Sequence, residues 1–135
     1  MLLNSALASI NLLAVLIAGI THMAIGLIWF QPKLFGNDWV KLTGKELQPA
    51  SRWLPAGIIG HLVMALVLAL IINLAYAATA VEGAIVGAMV WIGFIVPLEI
   101  GELIWEKIPF KLFLIRIFNH LVGLGIAGTI LAVWR

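Results

Sequence analysis

The chain has 135 residues, of which 64% are hydrophobic and only 10% charged, and its mean hydropathy is +1.16. A water-soluble domain carries roughly 25% charged residues, so an ordinary soluble fold is excluded and the apolar surface must face lipid. The net charge of +2 is too small, and the basic residues too confined to loops, for a nucleic-acid surface. With no cysteine there is neither a disulfide framework nor a thiolate ligand.

Four apolar runs follow one another, each long enough for the about 20 helical residues that cross a bilayer. They extend from near Ala6 to Phe30, from near Trp53 to Ala78, from near Gly83 to Trp105 and from near Lys111 to Trp134. Membrane-spanning strands would alternate in polarity, which these continuous runs do not. The expected fold is therefore an all-α bundle of four transmembrane helices, filling residues 1–135 as one domain.

The first run lacks a charged leader, and Ala6 and Ala8 precede the apolar stretch, so the first helix is expected to be retained. Pro32 ends it. The loop that follows is the one substantial segment outside the spans, and Phe35, Gly36 and Trp39 suggest a short amphipathic helix at the membrane surface. Thr43 and Glu46 have the spacing of a capping box, and Pro49 breaks the chain before the second helix. That helix has Ser51 as its candidate cap and Pro55 in its first turn. Pro97, flanked by Gly93 and Gly101, is expected to kink the third helix. Trp29, Trp53, Trp105 and Trp134 stand at span ends, where indole rings favour the headgroup region. Gly83 and Gly87 form a GxxxG element suited to helix packing within the bundle or between two copies in a homo-oligomer.

Lys33, Lys41, Lys45 and Arg52 lie in the first loop and Lys107 and Lys111 in the third, while the second loop has none and the C-terminus only Arg135. The positive-inside rule then puts loops one and three in the cytoplasm and both termini outside.

Gly26, Trp29, Pro32, Phe35, Gly36 and Trp39 leave the first helix as Gly, Trp-aromatic-x-Pro, Phe-Gly and Trp. The chain closes with Leu112 to Ile115, Asn119-His120-Leu121 and a Gly-rich helix through Gly128. Over most of its length it thereby resembles the "domain of unknown function 1761" family. The resemblance implies a four-helix membrane protein of unassigned activity. His22, His61 and the acidic series Glu99, Glu102 and Glu106 go beyond the family pattern.

Ionisable residues inside a span are costly and default to a functional hypothesis. His22, His61, Glu99 and His120 come one from each span. At 1.5 Å per residue all lie roughly 9–14 Å from the loop-one side. Asn11, Val15, Ala18, His22, Gly26 and Trp29 fall on one face of the first helix, and Arg116, His120, Gly123 and Ala127 on one face of the fourth. Three imidazoles and a carboxylate suit a borderline divalent transition metal. Two histidines could instead ligate a haem, the glutamate stripe could handle protons or ions, or the layer could only glue helices together. Glu102 and Arg116 form either an ion pair or, with Glu106, a polar vestibule above the histidines. No phosphate loop, nucleophile elbow or zinc-protease motif is present, which leans against an enzyme. The partner that the sequence requires is the lipid bilayer.

Overall fold

The computed structural model describes residues 1–48, 50–52 and 54–134. The expectations for Pro49, Trp53 and Arg135 lie outside the described residues. Among these residues there is no strand. Four helical segments are long and apolar enough to cross a membrane, Leu12–Trp29, Leu54–Leu74, Ala80–Trp105 and Phe110–Val133. Their outer faces carry large exposed apolar side chains on every span, among them Leu16, Ile59, Val63, Phe94, Leu98 and Ile126. Soluble monomers rarely expose large apolar patches to water.

The first span begins at Leu12 rather than Ala6, because the apolar run is cut in two. A short helix, α1 (Leu2–Ala8), precedes α2 (Leu12–Trp29). Asn11, read from sequence as part of the first helix's inner face, is instead its cap, its side chain accepting from the Leu13 and Ala14 amides. Asn73 ties α1 down by donating to the Ala6 carbonyl at 3.0 Å and to Ser9 Oγ at 3.1 Å.

Gly26 to Trp39 form a return turn. Pro32 opens a π-turn (Pro32–Gly36) within which Leu34 leaves helical geometry. The Leu34 and Gly36 amides both donate to the Gln31 carbonyl. Any side chain on Gly36 would run into the carbonyl oxygen of Phe30, so only glycine closes the turn. The Phe35 ring then folds back onto Trp29, with centroids 4.7 Å apart. The amphipathic helix α3 (Asn37–Thr43) follows, and the Asp38–Lys111 ion pair at 3.1 Å holds it against the fourth span. The Thr43–Glu46 capping box does not form. Thr43 is the last residue of α3, its hydroxyl donates back to the Trp39 carbonyl, and Gly44 takes the left-handed conformation that ends the helix. Ser51 lies inside a tight turn (Ala50–Arg52) ahead of the second span, α4 (Leu54–Leu74).

The capping box occurs instead at the start of the third span. Thr79 Oγ1 accepts from the Glu82 amide, and Glu82 accepts from the Thr79 amide at 2.9 Å. This span runs as α5 (Ala80–Val90), a π-turn (Trp91–Ile95) and α6 (Val96–Trp105). The Val96 amide reaches back five residues to the Trp91 carbonyl. Pro97, with no amide to donate, sits at the head of α6, so the irregularity expected from the proline is a widened turn just ahead of it. The fourth span, α7 (Phe110–Val133), touches all the others. Gly83 and Gly87 pack on it, since a Cβ on either would strike the backbone of Gly128 or Leu124. The GxxxG element is thus occupied inside the bundle.

The bundle has two unlike halves. Away from the first and third loops, Ala14, Ala18, Ala65, Ile72, Leu124, Ala127 and Leu131 form a dry core of small and branched residues. Toward those loops the interior becomes polar.

Candidate functional site

His22, His61 and His120 stand on α2, α4 and α7 at the border between these halves. Close helix contact brings them together. A Cβ on Gly19 would lie 3.1 Å from the His61 carbonyl oxygen, so α2 and α4 touch one turn beyond the histidines. Gly123 gives the His22 ring its place, because a Cβ there would be 2.6 Å from both Cδ2 and Nε2 of that ring. The His22 ring centroid is 5.0 Å from that of His61 and 5.9 Å from that of His120.

The His61 and His22 rings offer different groups. His61 Nδ1 lies 2.7 Å from the Gly57 carbonyl oxygen. A carbonyl only accepts, so Nδ1 carries the proton and the Nε2 lone pair is free. His22 is 5% exposed, and its Nδ1 is buried without a hydrogen-bond partner. Among the described residues no three His, Asp or Glu side chains are already disposed to hold a metal ion.

Glu99 faces a different partner. Its Oε2 is 3.0 Å from Arg116 Nε, a close ionic contact that lacks hydrogen-bond alignment. Arg116 Nη1 also approaches Glu102 Oε2 at 3.5 Å. One guanidinium on α7 therefore bridges two carboxylates of α6, and the carboxylate from the third span belongs to this ionic group. Both glutamates, Glu106 and Arg116 line a cavity of about 1050 Å³ that also reaches Asn119, His61 and His120. Its other walls are Gln31 and Pro32, Trp39 and Thr43 of α3, Lys45, and Ile108 of the third loop. It is a vestibule opening at the end of the bundle that bears the first and third loops, and beyond the histidines the dry core begins.

Three residues matter here that the polar layer did not single out. Trp29 and Trp91 donate from α2 and the third span to the Ile115 and Ile117 carbonyls of α7, at 3.1 and 2.7 Å. Trp91 had no sequence signal, since an indole in a long apolar run reads as lipid-facing. Asn119 is buried between α7 and Gly26, its Oδ1 unpartnered. In the sequence it entered only as part of the Asn119-His120-Leu121 motif.

Fold and site together define a multi-pass helical membrane protein, a four-span bundle with a loop-side polar cavity ending at clustered histidines. Residues 13–132 match the model of the family described as "Protein of unknown function (DUF1761)", and the chain belongs to that family. No curated protein and no solved structure matches it.

Proposed function

We propose that this protein binds a divalent transition-metal cation at His22, His61 and His120, the cation arriving through the acidic vestibule. The observation that carries the reading is the meeting of three imidazoles from three helices, two of which, His61 and His120, line the inner end of a cavity that also bears Glu99, Glu102 and Glu106. Imidazoles sharing one ion have metal–nitrogen bonds of about 2.0–2.1 Å, which puts neighbouring ring centroids roughly 5–6 Å apart. His61 has the support that metal-bound imidazoles usually have, a protonated Nδ1 held by a backbone carbonyl and a free Nε2. Binding then requires rotation of the other rings, and Glu99 joins only by leaving Arg116. A mononuclear ion suits this packing better than haem, because the His22 and His120 rings stack on each other with 28° between their planes and leave no gap for a macrocycle. The dry half of the bundle favours a blind binding site over proton or ion conduction.

The test is equilibrium dialysis of the detergent-purified protein against zinc, nickel and copper, followed by elemental analysis. One ion per chain is expected, abolished by His22→Gln, His61→Gln or His120→Gln alone. A second reading, a structural polar layer, draws on the absence of a ready-made donor set among the described residues and on the pairing of Glu99 with Arg116. It predicts no uptake and three independent stability losses of about 0.6 kcal/mol each.

The same account sets the vestibule toward the cytoplasm and both termini outside, supported by the basic residues of loops one and three. Cysteines introduced at positions 45 and 108 should be labelled from the cytoplasmic face of sealed membranes. Cytoplasmic labelling at position 82 would invert the assignment.

A further inference from the structure

The histidine cluster has a second approach, from the side of the bundle. A cavity of about 290 Å³ reaches it between Gly57, Gly60 and Met64 of α4 and Ile95 at the π-turn of the third span, with all three histidines at its inner end. The third span is interrupted there, and α4 and α6 have no extended packing. A Cβ on Gly60 or Gly93 would have no neighbour within 4 Å. The flanking Ile59, Val63, Phe94 and Leu98 are large, apolar and exposed, so a bilayer covers this flank and the opening faces hydrocarbon.

The chemistry of the cavity selects its occupant. Its walls are apolar and its inner end is formed by the three imidazoles, where His61 Nε2 is uncommitted and His22 Nδ1 is buried without a partner. No Asp, Glu, Lys or Arg side chain lines it, and Arg116, Glu99 and Glu102 lie along the other cavity. We infer that this lateral cavity admits an uncharged, lipid-dissolved amphiphile whose carbonyl or hydroxyl oxygen is bound by the histidine cluster. Its apolar part lies against Met64 and Ile95. The inference stands on the lateral cavity and does not rest on the metal reading, because a neutral imidazole binds oxygen directly. Its bare nitrogen, as at His61 Nε2, accepts from a hydroxyl, and an uncommitted N–H of another ring donates to a carbonyl.

Chelator-treated protein in lipid nanodiscs, titrated with a short-tailed benzoquinone, tests it through tryptophan quenching. Saturable quenching is expected. Gly60→Phe, which places a ring at the opening, should weaken binding at least tenfold. Gly101→Phe should leave it unchanged, since Gly101 also has open space around it but lies outside the cavity. Quenching that rises linearly without saturation, or equal affinities in the two variants, would overturn the inference. Zinc uptake measured on the same wild-type sample keeps the two readings apart: quinone binding without zinc uptake removes only the metal.

Discussion

Replacing Gly123 with Ala should destabilise the protein through one side chain, His22. The added methyl would sit 2.6 Å from two atoms of the imidazole, against the about 3.5–4.0 Å of ordinary non-bonded contact. The ring or the helix must therefore move by about 1 Å. The ring cannot swing freely, because His61 and His120 lie against it at centroid distances of 5.0 and 5.9 Å. Overpacking of this kind costs about 1–3 kcal/mol, a shift of roughly 5- to 150-fold in the folding equilibrium. Reversible unfolding in mixed micelles, with denaturing detergent as the variable, measures it. The same substitution made in a His22→Ala background should cost almost nothing, so the double-mutant cycle should return nearly the whole effect as coupling. A Gly123→Ala cost that is unchanged when His22 is absent would show that the ring does not lie against Gly123, and the packing of the cluster would be wrong.

Arg116→Met should leave Glu99 buried and unpaired. Breaking a fully buried pair costs about 3–5 kcal/mol, and with the Arg116 side chain 31% exposed we expect about 1–3 kcal/mol by the same unfolding assay, largely recovered in Arg116→Met/Glu99→Gln. Thr79→Ala removes one half of the capping box and should cost about 0.5–2 kcal/mol, while Thr43→Ala should not show a capping-box loss. Gly83→Leu should force α5 from α7 and lower stability by at least about 1–3 kcal/mol, whereas Gly93→Leu, with open space at its Cβ, should be nearly neutral; equal effects would contradict the helix seam.

The four spans were legible because hydrocarbon imposes one requirement on long runs of sequence, that each be apolar over its whole length. Finer boundaries depend on single hydrogen bonds that hydropathy does not register. The break at Asn11 is hidden inside an apolar stretch, and only the side-chain bonds to the Leu13 and Ala14 amides reveal a cap. The Thr43–Glu46 spacing misled because Gly44 ends a helix there, while the real capping box, Thr79 with Glu82, follows the same spacing at the third span. Equal depth along the spans brought the three histidines into one layer on paper, and Gly123 completes the arrangement by leaving the space that the His22 ring fills. The partner of Glu99 was not legible. Depth alone does not say which face of the third span a carboxylate occupies, and Arg116, one turn from His120 on α7, bridges it to Glu102.

X-ray absorption at the metal edge, on protein loaded with one equivalent of zinc or nickel, tests the shared-histidine site most directly. The account predicts a first shell containing three imidazole nitrogens at about 2.0–2.1 Å, lost as a bound species in His22→Gln and in the triple replacement. A bound metal with an oxygen-only shell, or one whose spectrum is the same in the wild type and the triple His→Gln variant, would contradict it.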